Sequence, residues 1–180
     1  MNRGKIRELL SGGDRRSIAD SDRVRMLVEQ DPELIADLVA LTRDEDWLVV
    51  QRSVDLLEKL AHEHPDWIAP HRRVFIGPLA EREQWEIRLQ IVRALPLFLW
   101  TPKQAIRVRK ILTENVEFPQ TFVRAWALDG LARLAERDPS LRSLVRRKVV
   151  EFEQSSSKAL QARARQIRER LSQPTTGTQG

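Results

Sequence analysis

The three histidines of the chain are the first candidates for chemistry, because they lie close together in AHEHPDWIAPH and histidine is a common zinc ligand. His62 and His64 are two positions apart, so on a helix their side chains point in nearly opposite directions. Pro65 and Pro70 restrict the loop that would carry His71 to the same ion. We therefore predict solvated histidines at a helix end, and no metal site.

The other chemical signatures are weaker. Gly12-Gly13 stands alone, without the pattern of a phosphate-binding loop. Asp44, Glu45 and Asp46 lack the loop length and the glycine of a calcium site. Cysteine is absent, which excludes disulfides and thiolate chemistry. We predict no catalytic residue and no cofactor, and we interpret the chain as a binding protein.

Four apolar stripes on a helical period determine the predicted architecture. Their first residues, Val49, Ile87, Val123 and Leu160, are 38, 36 and 37 residues apart. A recurrence at this spacing is typical of stacked helical repeats. The stripes are Val49, Ser53, Leu56, Leu57, Leu60; Ile87, Ile91, Ala94, Leu95, Phe98; Val123, Ala127, Gly130, Leu131, Leu134; and Leu160, Ala164, Ile167, Leu171.

Proline and aspartate mark the ends of the repeats, and they predict one domain over residues 1–172. Residues 1–31 read as a degenerate N-terminal cap, since Arg16 and Asp20 stand where its stripe should begin. Helical pairs are predicted at 32–64, 65–100, 101–138 and 139–172. Pro70 and Pro78 should break the first helix of the second pair, and Pro96 should kink its partner. The tail, 173–180, is predicted to be disordered.

Composition favours a soluble, helix-rich protein. Charged residues make up 32% of the chain and hydrophobic residues 41%. No apolar run approaches the length of a membrane span, and the N-terminus lacks the apolar centre of a signal peptide. We expect a cytoplasmic protein that binds no membrane and no small-molecule cofactor.

The sequence resembles the HEAT-repeat, armadillo-like family over about residues 32–172. Val123-Arg124 with Ala127 and Leu131 carries the best match, and Ile87-Arg88 with Ile91 and Leu95 carries the second. Val50 and Gln161 stand where this family usually has arginine. The resemblance implies an all-α, right-handed superhelix of four to five antiparallel helix pairs. It also implies that the second helix of each pair lines a concave face.

A polar row on these second helices is the predicted contact surface for a protein partner, since it lies away from the apolar stripe. Trp126 is the strongest candidate, because an indole flanked by arginines is a credible hot spot. A helical phase shifted by one position would instead make Trp126 a core residue. The predicted contact residues are Trp126, Arg93, Asp129, Arg52 and Arg133.

The same row could also be a ladder of charges that fixes the stacking of the helices. Asp55, Arg93 and Asp129 alternate in sign along it. The two interpretations are compatible, so one surface could both hold the repeats together and bind a partner.

Nucleic-acid binding is the alternative function. From Ser140 onward nine Lys or Arg residues stand against three Glu, whereas charges nearly cancel before that point. Phosphate binding requires such positive charge, although a solvated basic face is the simpler interpretation. The basic patch comprises Arg142, Arg146, Arg147, Arg163 and Arg170.

One enzyme class belongs to this alternative. Trp126, Asp129, Arg93, Arg133 and Arg163 loosely resemble the binding set of the HEAT-like DNA glycosylases of alkylation repair. The aromatic-rich catalytic segment that precedes the aspartate in that family is missing here, and the chain is short.

Overall fold

The computed structural model describes residues 3–13 and 20–172, and the chain divides into two compact units, Met1–Gln104 and Ala105–Gly180. Within the described residues every regular element is a helix. The predicted disordered tail, 173–180, and the predicted stripe position Arg16 lie outside the described residues. The single domain over 1–172 stays a prediction.

The first unit is built on helices that alternate with tight turns. Its helices are α1 (Arg3–Leu10), α2 (Ser21–Gln30), α3 (Ile35–Leu41), α4 (Trp47–Glu63), α5 (Pro65–Ile68) and α6 (Trp85–Ala94). Asp46 caps α4, since its carboxylate accepts a hydrogen bond from the Leu48 amide at 2.9 Å. Helix α4 packs against α3 and α6.

Proline breaks the helix before α6, as the sequence predicts. After α5 the chain continues as two 3₁₀ segments, Ala69–Ile76 and Pro78–Glu81, separated by Gly77. Pro96 ends the α-helical part of the next element, which finishes in the 3₁₀ turn Leu95–Leu97. Proline lacks the amide hydrogen that a continuous helix would need at these positions.

The second unit contains α8 (Thr121–Arg137), α9 (Arg142–Glu153) and α10 (Lys158–Ser172), which pack against one another. The preceding helix, α7 (Pro102–Val116), crosses the boundary between the two units. A turn at Asp138 separates α8 from the 3₁₀ segment Pro139–Leu141. The Asp138 carboxylate accepts hydrogen bonds from Ser140, which lower the pKa of this carboxyl.

The predicted stripes form the core of each unit. All five residues of the α4 stripe and all five that begin at Ile87 are buried. In the second unit the stripe residues are also buried, except that Leu134 and Leu171, at the ends of theirs, are half-buried. The apolar side chains on one face of each helix are thus buried together, and this burial supplies the main driving force for packing.

Arg52, a predicted contact residue, lies in the interior. It is 4% exposed, and its Nη1 donates to the carbonyl oxygens of Leu10 at 2.6 Å and Gly12 at 2.7 Å. Gly12 and Gly13 have positive φ angles of 78° and 70°, which side-chain-bearing residues rarely adopt. The end of α1 therefore turns so that its carbonyls reach a buried guanidinium. This places Arg52 away from any surface that a partner could touch.

Replacing Arg52 with methionine should loosen the attachment of α1. The Arg52→Met variant keeps most of the side-chain volume but leaves two carbonyls without their charged donor, at an expected cost of about 2–3 kcal/mol. Urea denaturation followed by circular dichroism measures this loss. The exposed Arg23→Met is the control and should stay within about 0.5 kcal/mol of wild type. Equal stability of Arg52→Met and wild type would contradict the structural role.

Candidate partner-binding face

A buried carboxylate between α8 and α10 organises the polar surface of the second unit. Asp129 is only 2% exposed. Its Oδ2 accepts from Arg133 Nε at 2.8 Å, and its Oδ1 accepts from Arg170 Nη1 at 3.1 Å. Arg163 Nη1 lies 3.5 Å from Oδ1. A buried charge is costly unless it is paired, and three guanidinium groups supply that pairing here.

Trp126 lies one turn before Asp129 and is half-buried. The guanidinium carbon of Arg163 lies 4.0 Å from the centroid of the indole, which is a close cation–π contact. This contact links α8 to α10 beside the Asp129 pairs. The neighbouring Ala125 and Ala127 fill the buried side of α8, so Trp126 is at the edge of the core.

The arginines around Asp129 outnumber the carboxylates. Arg170 Nε also lies 3.4 Å from Glu136, whereas Arg133 is exposed. Among the described residues, the buried Arg170 Nη2 donates no hydrogen bond. We call this surface the arginine–indole face; it comprises Trp126, Asp129, Arg133, Glu136, Arg163 and Arg170. Its three arginines against two acids leave one positive charge.

The whole second unit has the same sign of charge. Residues 105–180 contain 15 Lys or Arg and 8 Asp or Glu, a surplus of 7 positive charges. Of the predicted basic patch, Arg142, Arg146 and Arg147 are exposed on α9, whereas Arg163 and Arg170 belong to the arginine–indole face. The predicted patch therefore divides into a solvated group and a paired group.

The first unit has a comparable polar row between α4 and α6. Glu58 is fully buried, with Arg93 Nε 3.1 Å and His62 Nε2 2.8 Å from its Oε1. Within the described part of the chain neither Glu58 oxygen accepts a well-directed hydrogen bond. The pKa of Glu58 is raised to about 7, mainly because the group is buried; Arg93 opposes this rise, and the nearby Asp55 contributes to it.

Asp55 completes this row. It accepts from Gln90 Nε2 at 2.8 Å and pairs with Lys59 Nζ at 2.8 Å. The hydrogen bond from Gln90 connects α4 to α6, whereas the Lys59 pair lies within α4. Of the predicted ladder, Asp55 thus bonds to Gln90 and Arg93 pairs with Glu58, whereas Asp129 belongs to the second unit. The alternating ladder of charges stays a prediction.

The structure separates the predicted contact residues into different environments. Trp126, Asp129 and Arg133 lie together on α8, and Arg93 belongs to the Glu58 cluster of the first unit. Glu58 was not predicted from the sequence, although its position one helical turn from Asp55 was visible. Arg170 was not predicted as a partner of Asp129 either, because pairing across helices depends on the rotation of α10.

One cluster has the composition of a metal site. Ligand atoms of Glu29, Glu63 and His64 lie within 4.8 Å of one another. Arg25 pairs with Glu29 and with Glu63, each at 3.0 Å, and His64 stacks on Trp67 with the ring centroids 3.9 Å apart. Arg25 bridges the two carboxylates, so the cluster is explained as an ion-pair network.

Comparison with solved structures identifies the fold. The chain is similar to an engineered protein, with a TM-score of 0.62 and 20% identity over 93% of this chain and 78% of that one. A designed armadillo repeat protein in complex with the peptide (KR)4 gives 0.60 and 16%, covering 93% and 72%. An archaeal HEAT-like repeats protein from Thermococcus onnurineus NA1 gives 0.55 and 19%, covering 91% and 63%.

These similarities define the class of protein: an all-α helical repeat protein with a HEAT- or armadillo-like fold. The predicted fold class is thereby confirmed. No family model matches the chain, and no curated protein matches it. None of the helices in the described ranges is long and apolar enough to span a membrane.

The buried Glu58 predicts an unusual dependence of stability on pH. Its folded pKa of about 7 lies above the ordinary value of 4.5, so the folded protein holds this proton more tightly than the unfolded chain does. The contribution to stability is therefore fully present below about pH 4.5 and is lost as the pH rises to about 7. The loss is on the order of 3 kcal/mol.

Thermal unfolding of wild type and Glu58→Gln at a series of pH values tests this. The variant lacks the titrating group, so between pH 5 and 8 its unfolding free energy should fall less than that of wild type. The exposed Glu83→Gln is the matched control and should follow wild type. Parallel curves for Glu58→Gln and wild type would refute the assignment.

Proposed function

We propose that this chain is a non-catalytic binding scaffold, and that the arginine–indole face holds an acidic, partly apolar segment of a protein partner. The observation that carries the proposal is the Trp126–Arg163 stack beside Arg133, where a half-buried indole meets a surplus of guanidinium groups. Tryptophan and arginine are the residue types most enriched at the energetic centres of interfaces.

The charge of the face favours an acidic partner. Arg133 is exposed, and the second unit carries its surplus of 7 positive charges. Carboxylates accept paired hydrogen bonds from guanidinium groups, which gives both strength and orientation. Apolar side chains of the partner would pack on the indole.

The structural comparison supports the proposal that the partner segment is a peptide. The designed armadillo repeat protein of similar fold was solved with the peptide (KR)4, which is basic. The arginine–indole face of this chain has a net positive charge, so the ligand that we propose for it is acidic. The glycosylase alternative gains no support from the site. Asp129 is buried beneath three arginines, and a catalytic carboxylate must reach its substrate.

Two peptides of equal apolar content test the sign of the charge. Fluorescently labelled (EL)4 should bind the protein more tightly than (KL)4, and its affinity should fall as salt rises, because ion pairs at a surface are screened. Fluorescence anisotropy measures both. If (KL)4 bound equally well, the proposed recognition of an acidic segment would be wrong.

The Trp126→Ala variant tests the position of the site. We expect its affinity for (EL)4 to fall by about tenfold or more, as truncation of a central aromatic contact does. Its helical circular dichroism should be unchanged. Arg137→Ala, an exposed arginine at the end of the same helix, is the control and should bind like wild type. A large loss of helicity or melting temperature in Trp126→Ala would instead make Trp126 a core residue.

Nucleic-acid binding remains a second candidate because Arg142, Arg146 and Arg147 are exposed on one helix of a positively charged unit. Phosphate contacts release counterions, so affinity for short duplex DNA would fall steeply with salt. Anisotropy with undamaged and alkylated duplexes across a salt series checks this. Tighter binding of DNA than of (EL)4 would replace the proposed function, and release of the alkylated base would assign a glycosylase.

A further inference from the structure

A cleft in the first unit is lined by positive charge. Its volume is about 500 Å³, within the range of small-molecule sites. Arg43, Arg73 and Arg82 contribute its charged lining, and His71 is beside them. Among the described residues no Asp or Glu lines this cleft. Three cations that surround one space favour the entry of an anion.

The broken helix explains how these arginines come to line one cleft. Because of Pro70 and Pro78, the chain forms two 3₁₀ segments here instead of a continuous helix. Gly77, between the two segments, has extended backbone angles, φ −87° and ψ −154°. Arg73 comes before this break and Arg82 follows it. Arg88 Nε donates to the carbonyl oxygen of Arg82 at 2.7 Å, which fixes the backbone there. A regular helix could not bring its side chains into this arrangement.

The charges of the cleft are not neutralised by acidic groups of the residues that the structure describes. None of the guanidinium groups of Arg43, Arg73 and Arg82 forms an ion pair with the residues that the structure describes. The nearest acid in sequence to Arg43 is Asp44, and it already pairs with Arg7 at 2.8 Å. That contact lowers the pKa of Asp44, so its carboxylate stays charged and committed to Arg7.

Most of the remaining side chains that line the cleft are apolar. Val39, Val74 and Leu79 contribute to it, together with Pro70 and Pro78. A bare inorganic ion would leave this surface in contact with water. A ligand with an anionic end and an apolar body would use both kinds of surface, as small-molecule sites usually do.

We propose that this cleft binds a phosphate monoester of a small apolar group. A phosphate monoester carries a charge of about −1.5 to −2 at neutral pH and three acceptor oxygens, which suits several guanidinium groups better than a single carboxylate does. Arg73 and Arg82 contact the phosphate, and Val74 and Leu79 contact the apolar group. This site is separate from the arginine–indole face and does not depend on the proposed partner.

Calorimetric titration with phenyl phosphate tests the site. We expect saturable binding, weaker by about tenfold in Arg73→Gln and in Arg82→Gln, because each loses a charge-assisted hydrogen bond. The matched control is Arg23→Gln, an exposed arginine of the first unit outside the cleft, which should bind like wild type. Trp126→Ala should also bind phenyl phosphate normally, which separates this site from the proposed function.

Further ligands test each part of the proposal. Benzoate should bind more weakly than phenyl phosphate, and inorganic phosphate should also bind more weakly because it lacks the apolar group. Co-flotation with vesicles that contain phosphatidic acid, lost in Arg73→Gln, would identify the ester as a lipid, whereas binding of phenyl phosphate alone would identify a soluble ester. Phenyl phosphate binding that is absent, or equal in wild type, Arg73→Gln and Arg82→Gln, would overturn the proposal.

Discussion

The structure depends on burying a carboxylate where two packed helices meet and on balancing its charge with nearby arginines. In the second unit Asp129 of α8 receives Arg163 and Arg170 of α10, and Arg133 from its own helix. Several guanidinium groups offset the cost of taking this charge out of water, and their geometry fixes how α10 is rotated against α8. Because Arg163 is held in place there, its guanidinium also covers one side of the Trp126 indole. The candidate face thus follows from the way the helices are joined.

The first unit also buries a carboxylate between two helices, but the surrounding groups compensate its charge less completely. Glu58 is buried deeper than Asp129 and faces Arg93 of α6, but within the described residues its oxygens accept no well-directed hydrogen bond. Burial therefore dominates, and the pKa of Glu58 rises to about 7. Ionised Glu58 therefore contributes little to stability at neutral pH. The Asp129 cluster differs because its arginines outnumber its carboxylates. Of these two clusters, the Asp129 cluster is therefore the better candidate for recognition of an acidic protein segment.

Sequence periodicity predicted the helices well because a repeat must bury one stripe of each helix against its neighbours. Pro70, Pro78 and Pro96 also predicted the breaks correctly, since the missing amide hydrogen acts locally. The environments of polar residues were harder to predict. Arg52 occupies the same position in its repeat as Trp126, yet it is buried because the backbone at the end of α1, at Leu10 and Gly12, packs against it. The burial of Asp129 and Glu58 depends on the rotation of adjacent helices, which the period of a single helix does not determine.

The most direct test of the arginine–indole face is an NMR titration of ¹⁵N-labelled protein with (EL)4, in which the five tryptophan indole signals are followed individually. We predict that the signal of Trp126 shifts on binding, because its ring lies beside the arginines that hold the peptide. The signals of Trp47, Trp67, Trp85 and Trp100 in the first unit should stay in place. Shifts confined to those four, or no shift of Trp126 at saturating peptide, would contradict the arginine–indole face as the binding site.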